Sequence, residues 1–536
     1  MLRKTEYIKV ASYEGKKGEV KKVVLLYSGG LDTSTMLKWI QDEYKAQVIA
    51  VTIDLGQQTD DLEEIREKAI KLGAIKALII DAKDEFANEY LSRAIKANLS
   101  YQGNYHVSTI SRYLMAKIVV KIAAEEGADA IAHGCTGKGS DQIRIEGTAL
   151  AYNPDIKIIA PVREWGMGRT EQLEYCKKHG IPVKQTSDKP YSFDDNMWGV
   201  TAEGGEIENP AIIPPLDKIL QITKSPEKAK NTPEYIKIEF VKGVPVSLDG
   251  KQKSLKNIIF ELNERAGEHA IGIVYSIEDR VIGLKIRGVY EAPAAETLIK
   301  AHMALERYTS TARENKFKTL IDEEWSYLTY GALWNEPLME NLNAYIDTSN
   351  EKVTGIVTVK LFKGNVEAVA LETPNTIFDE KLATFMETSN DFNVNSSAGF
   401  IEHYTAQMVR AQQREHTVLL SIGKRNNKIK LLQSIKKLYD LKYKIYATYK
   451  THKFLAKHKI ESILVNKISQ PQLKPNLADL LDANRFELII NIPMERHVTK
   501  TDGNFIRQKA VEHNVKLITS VPVAHDFINQ LHTSRV

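Results

Sequence analysis

At 536 residues the chain is too long for a single ordinary core, and two to four domains are expected. It is 43% hydrophobic and 26% charged, with no apolar run near the ~20 residues a membrane helix needs and no apolar stretch in its first twenty residues, which excludes membrane-spanning and secretory-signal readings. The net charge of +4 is uneven: residues 416–536 hold 21 Lys and Arg against 9 Asp and Glu, so they carry +12 and the first 415 residues −8.

Residues 1–20 are polar and lysine-rich without a period and read as an extension or irregular arm. From 21 to 190 strands and helices alternate. A strand over 23–27 meets Ser28-Gly29-Gly30, and residues 33–44 follow as a helix with Met36, Leu37 and Ile40 at helical spacing. Strands over 47–53, 76–80 and 130–132 and helices over 61–72 and 113–126 complete a doubly wound α/β domain with a parallel sheet. Residues 191–397 change texture: the segments 232–250 and 350–371 look like antiparallel hairpins and 293–308 like a long helix, giving a second, α+β domain. A helix and linker over 398–415 lead to a smaller α/β domain, 416–536, with strands at 418–422, 443–448, 486–493 and 515–519 between helices at 427–439, 453–458 and 504–513. Its basic charge suits a small phosphorylated ligand or nucleic acid, or is simply a solvated lysine-rich face. Cys135 and Cys176 stand in neither metal-ligand nor disulfide spacing, which points to a reducing, cytoplasmic setting.

The turn Tyr27-Ser28-Gly29-Gly30-Leu31-Asp32-Thr33-Ser34 carries the clearest chemistry. Its glycines let the backbone approach phosphate oxygens, and the hydroxyls of Ser28, Thr33 and Ser34 join the N–H groups of a helix N-terminus as anion donors. Asp32 repels phosphate, so its natural role is to help hold a magnesium that bridges to pyrophosphate. The turn is neither a Walker loop nor a dinucleotide fingerprint. A second loop, His133-Gly134-Cys135-Thr136-Gly137-Lys138-Gly139-Ser140-Asp141-Gln142-Ile143-Arg144, follows a strand and so lies at the carboxyl edge of the sheet, where open α/β folds bind ligands. Asp141 suits an ammonium and Arg144 a carboxylate, the two charges of an amino acid.

The first turn resembles the pyrophosphatase loop of the N-type ATP-pyrophosphatase superfamily, whose members adenylate a substrate oxygen. Alone it leaves amidotransferases, tRNA-modifying enzymes and synthetases open. Its SGGLDTS form and the second loop resemble those of the argininosuccinate synthases, which carry H-G-x-T-G-K-G-N-D-Q-x-R. Residues 189–199 (KPYSFDDNMWG), 277–293 (IEDRVIGLKIRGVYEAP) and Asp54-Leu55-Gly56-Gln57 extend the resemblance over about 22–405. It implies ATP-dependent ligation of L-citrulline and L-aspartate through a citrulline-adenylate, with release of AMP and pyrophosphate, by a cytoplasmic homotetramer using ATP with Mg2+. It also implies ATP contacts at Leu26, Tyr27, Ser28, Gly29, Gly30, Leu31, Asp32, Thr33, Ser34, Ile53 and Gly134. Asp32 and Ser28 would carry the chemistry and Asp32 the metal. Aspartate would meet Thr136, Ser140 and Asp141; citrulline would meet Tyr105, Thr109, Ser140, Arg144, Ser192, Thr201, Glu278 and Tyr290. Ser140 departs from the family's asparagine, and Thr201 from its serine. Two rivals stay open: a tRNA-thiolating enzyme, which would use Cys135, and a non-catalytic metabolite sensor, for which Ser140 is the support.

Residues 416–536 resemble the methylglyoxal synthase-like domain, which also forms the allosteric module of carbamoyl-phosphate synthetases. The synthase signature G-G-D-Q-x is absent and the loop 470–476 holds no acid, so methylglyoxal production is not expected. What remains is a pocket for a small anionic effector, with Thr448, Lys450, Thr451, Lys467 and Asn476 as candidate lining. No nucleic acid is expected, since the segment lacks an aromatic stacking platform.

Overall fold

The computed structural model describes residues 7–58, 61–182, 190–383, 393–412, 415–494 and 502–535. It falls into two compact units, Met1–Glu387 and Thr388–Val536. Residues 7–20 are irregular yet docked. Glu14 forms a parallel bridge with Ile158, the Gly15 N–H donates to the Ile158 carbonyl at 2.9 Å, and the Ile158 N–H donates to the Tyr13 carbonyl at 2.9 Å. The arm thereby covers a sheet edge that would otherwise present unpaired backbone groups.

The sheet comprises β1 (Lys22–Leu26), β2 (Gln47–Asp54), β3 (Lys76–Asp81), β4 (Ala130–Ala132) and β5 (Lys157–Ile159), all parallel, in the order β3-β2-β1-β4-β5. Val23 and Leu25 face one core with Met36, Leu37 and Ile40 of the helix Leu31–Tyr44; Val24 and Leu26 face the other with Val119 and Ile122 of the helix Ser111–Glu126. Both faces of β1 are therefore covered, as the doubly wound expectation requires. Chain order reverses between β1 and β4, and the crevice at that switch point lies between the two glycine loops.

Two antiparallel sheets follow, built from β6 (Tyr191–Asn196), β7 (Gly199–Gly204), β8 (Glu234–Val241), β9 (Val244–Leu248), β10 (Lys251–Gln252), β11 (Ile273–Asp279), β12 (Lys285–Glu291), β13 (Gly355–Phe362) and β14 (Asn365–Glu372). Their orders are β10-β9-β8-β13-β14 and β11-β12-β7-β6. The expected hairpins are β8–β9 and β13–β14, and the expected helix is Pro293–Thr309. The sheet containing β6 and β12 was not anticipated. A capping box, Thr311 with Glu314, starts the helix Ala312–Tyr330. One continuous core joins these elements to the parallel sheet, from Val24 and Ile49 through Trp198 and Leu298 to Val357.

In the second unit the helix Ser396–Gln412 precedes β15 (Thr417–Ile422), β16 (Lys444–Thr448), β17 (Ile463–Val465), β18 (Leu488–Ile492) and β19 (Lys516–Ile518). These form a parallel sheet in the order β17-β16-β15-β18-β19, with the C-terminal helix Val521–Arg535 packed on it through Ala524 and Ile528.

Candidate active site

A cavity of about 560 Å³ opens at the carboxyl ends of β1, β2 and β4 and is walled opposite by β6, β7, β11 and β12. On its first side β1 delivers Leu26 and Tyr27, and the turn brings Ser28, Asp32 and Thr33 to the lining. Gly29 has φ +76°, and a Cβ there would lie 3.0 Å from Ile65, so the turn needs glycine for both conformation and space. The Ser28 and Thr33 hydroxyls lie 3.2 Å apart, and Lys68 Nζ donates to the Gly29 carbonyl at 2.7 Å. Among the described residues no side chain caps the helix Leu31–Tyr44, so its first N–H groups are available to an anion. Gly29, Gly30, Leu31 and Ser34 do not line the cavity. Leu31 packs with Cys176 and Ile181, and the Ser34 hydroxyl sits 3.3 Å from both the Tyr27 hydroxyl and the Gly29 carbonyl. These four shape the turn; only their backbone can meet a nucleotide.

Ile53 lines the second side, where β2 ends in a turn held by Gln57, whose amide bonds the Ile53 carbonyl (2.9 Å) and the Leu55 N–H (2.7 Å). Behind the second loop, His133 is 1% exposed: Nδ1 accepts from the Cys135 N–H at 3.2 Å and Nε2 lies 3.0 Å from Glu146, which pairs with Arg163 at 2.7 Å. This relay braces the loop that carries Gly134, Thr136, Ser140, Asp141 and Arg144 to the cavity.

The charges there are already paired with one another. Arg144, 4% exposed, donates Nη1 to Asp141 at 2.6 Å and Nε and Nη2 to the Tyr330 carbonyl at 3.1 and 2.8 Å. Arg112 Nε donates to Asp141 at 2.9 Å, and its Nη2 contacts Asp194. Burial opposes charge on Asp141, but the two guanidinium groups outweigh it and hold the carboxyl well below its ordinary range. Asp141 is thus not a free acceptor for an ammonium, as its sequence context suggests, and Arg144 is not a free donor.

The antiparallel sheet supplies the opposite wall. Asp194 on β6, Thr201 on β7 and Tyr290 on β12 are directly opposite in register, so their side chains share a face. Glu278, 7% exposed, accepts from Asn104 Nδ2 at 2.7 Å and the Tyr330 hydroxyl at 3.1 Å, and burial raises its pKa above the ordinary value. Arg280 grips Glu203 with two bonds of 2.9 and 2.7 Å, and the Ser140 hydroxyl accepts from the Val281 N–H at 3.1 Å, latching the second loop to the β11–β12 hairpin. Ser192 and Thr109 complete the expected lining; Lys189, which opens the motif containing Ser192, lies outside the described residues.

Tyr105 is a correction. It does not line the cavity; its ring packs against the core and its carbonyl accepts from Trp198 Nε1 at 3.0 Å. Its neighbours Asn104 and His106 line the cavity instead. Sequence reading also missed Arg112, Arg280 and Tyr330. Arg112 and Arg280 sit beside expected motif residues, whereas nothing local marks Tyr330, the last residue of a helix.

In the second unit three of the expected pocket residues have structural partners, Thr448 Oγ1 donating to Thr451 Oγ1 at 3.5 Å. Thr451 Oγ1 exchanges hydrogen bonds with the Ile422 backbone (3.2 and 3.3 Å), and Asn476 caps Ala478 while donating to the Lys467 and Gln470 carbonyls. Thr448, Lys450 and Lys467 stand at or just past the carboxyl ends of β16 and β17. Lys428, not anticipated, donates to the Gly423 carbonyl at 3.0 Å, and burial and the charge of Lys450 lower its pKa.

A doubly wound parallel sheet, an open helix N-terminus behind a glycine turn and a facing loop of paired charges suit an ATP-dependent ligase. Family models agree: the arginosuccinate synthase N-terminal HUP domain matches residues 22–182, the arginosuccinate synthase C-terminal domain 191–411, and the MGS-like domain 430–519. Argininosuccinate synthases of Pyrococcus furiosus (49% identical, 74% of this chain and 96% of the relative), Geobacillus thermodenitrificans (48%, 72% and 94%) and Oceanobacillus iheyensis (47%, 71% and 91%) are among its relatives. The chain belongs to the argininosuccinate synthase family, with an MGS-like domain at its C-terminal end. Its reaction is the ATP-dependent joining of citrulline and aspartate.

Proposed function

We propose that the cavity is the catalytic centre, with ATP along residues 26–34, adenine against Ile53 and Gly134, aspartate at Thr136, Ser140 and Asp141, and citrulline among Thr109, Ser140, Arg144, Ser192, Thr201, Glu278 and Tyr290. The observation that carries this is the meeting of both glycine loops and all four strands of the sheet β11-β12-β7-β6 around one cavity. A ureido oxygen is a weak nucleophile, and its attack on the α-phosphorus of ATP expels pyrophosphate. The aspartate amine then displaces AMP. No protein nucleophile is needed, so positioning and charge stabilisation account for the catalysis. The Asp32 carboxylate and the Ser28 and Thr33 hydroxyls are hard oxygen donors in one turn, a set that suits Mg2+ retaining water and phosphate ligands. Such an ion supplies charge neutralisation to the pyrophosphate.

Asp32→Ala should lower citrulline-dependent pyrophosphate release by roughly 10²–10³-fold, with a melting temperature within about 2 °C because no core volume is lost. Near-normal release at saturating magnesium would refute the assignment.

We infer further that residues 416–536 are a regulatory module for a small anion. Lys428 and Lys450 near the carboxyl end of β15 support this, as does the N-terminus of the helix Tyr449–Lys457. A homotetramer is proposed on the helix Ser396–Gln412, which has no buried residue and exposes Phe400, Ile401, Tyr404 and Met408. The two free cysteines accord with a cytoplasmic setting. Among the described residues no helix is long and apolar enough to cross a membrane.

A further inference from the structure

His106 is 2% exposed, lines the cavity, and among the described residues has no hydrogen-bond partner for either ring nitrogen. Buried polar groups are almost always paired, so an orphaned imidazole in a substrate cavity calls for a reason. Its backbone is strained as well: φ is +50°, a region that side-chain-bearing residues seldom occupy. That conformation is held by Asn104, whose Oδ1 accepts the His106 N–H at 3.0 Å while Nδ2 donates to Glu278 at 2.7 Å. The ring lies beside the stacked pair Tyr101 and Tyr330, with its centroid 5.7 Å from Tyr101 and 5.4 Å from Tyr330, and Tyr330 in turn bonds Glu278 and Arg144. Burial and the Arg144 charge keep the imidazole neutral, with one donor and one acceptor.

We propose that His106 is a specificity-determining residue that hydrogen-bonds the amino-acid head group of citrulline beside Glu278, so that its unmet nitrogens are satisfied only in the complex. This rests on the placing of citrulline at Glu278. The imidazole serves as a positioning contact rather than a base, because a ring held neutral by burial and a nearby cation is a weak proton acceptor. No proton transfer is assigned to it.

The test uses the full-length protein. His106→Leu removes the orphaned nitrogens while keeping an apolar side chain of moderate size. Without substrate its melting temperature should equal or exceed that of the parent, since no hydrogen bond is lost and an apolar side chain still packs beside Tyr101 and Tyr330. Its KM for citrulline should rise about tenfold, the ratio for one lost hydrogen bond, with the KM values for aspartate and ATP unchanged. Citrulline should also raise its melting temperature less than it does for the parent. His106→Gln, which keeps a donor and an acceptor, should recover part of the citrulline affinity. An unchanged citrulline KM in His106→Leu, an equal rise in all three KM values, or a lower melting temperature without substrate would each overturn the proposal. Glu278→Gln separates the two layers. If it raises the citrulline KM while His106→Leu does not, only the role of His106 fails. If neither variant moves it, the placing of citrulline fails and takes the proposal with it.

Discussion

Asp141 shows how far a residue's surroundings govern its use. By composition the second loop offers one acid and one base to a zwitterion, but in the fold Arg112 and Arg144 share Asp141 before any substrate arrives. What reaches a ligand is a neutralised cluster with directed donors, a stiffer device than a bare carboxylate. Arg112→Ala should lower unfolding free energy by about 2 kcal/mol, below the 3–5 of a fully buried pair because Asp141 keeps Arg144 and is 27% exposed. Urea denaturation reads this directly; a loss under about 0.5 kcal/mol, the size of an exposed pair, would show the contact to be incidental. Ser140 is engaged in the same way. The hydroxyl that stands in the family's asparagine position accepts the Val281 N–H, so the loop is closed on serine.

At the scale of elements, the helices Pro293–Thr309 and Ala312–Tyr330 enclose a polar cluster that no sequence period announces. Lys318 lies between Glu306 (3.2 Å) and Asp322, Asn98 bonds both carboxylates at 2.8 and 2.9 Å, and His302 bonds Asn98 at 2.7 Å. With two carboxylates to one ammonium, burial raises Asp322 from 3.8 to about 7, against the pull of Lys318. Between pH ~4 and ~7 the native state therefore holds a proton that the unfolded chain has released, and stability falls as pH rises through that window. Asp322→Asn should flatten the fall, which would be on the order of a few kcal/mol. Denaturation midpoints at pH 5 and 7.5 that change equally in parent and variant would contradict this. The strand-and-helix alternation of residues 21–190 was legible because each βα unit advertises itself locally. The sheet β11-β12-β7-β6 was not, because its central pair, β7 and β12, is joined across more than eighty residues.

For the whole molecule, the two units have separate cores, the second formed by Val418, Leu420, Leu431, Ile435 and Ile490 among others. A chain ending at Gln412 should therefore fold and keep its ligase activity within about threefold, while losing any response to an anionic effector; an ordinary coupling of ~1–3 kcal/mol would be measurable. Activity of both forms, assayed with and without a panel of phosphorylated and carboxylate metabolites, checks this. Loss of basal activity on truncation would show the module to be structural, and salt-dependent RNA binding without any metabolite response would overturn the regulatory reading. Light scattering should give tetramers for both forms, since the exposed helix Ser396–Gln412 remains.

The glycine turn, the second loop and the motifs of 189–199 and 277–293 were readable because their chemistry is local: a phosphate needs contiguous backbone donors, and contiguity is what a sequence records. That these segments share one cavity follows from the β1–β4 adjacency and from a second sheet folded over it, neither of which any short span of residues states. The same limit explains the misses. Asn104 and His106 line the cavity and Tyr105 does not, in a segment with left-handed conformations at Gln102 and His106 that no local pattern marks. Tyr330 enters through its carbonyl and hydroxyl from the end of a helix more than 180 residues beyond Arg144. Residue types set which interactions are available; long-range packing decided which of them meet.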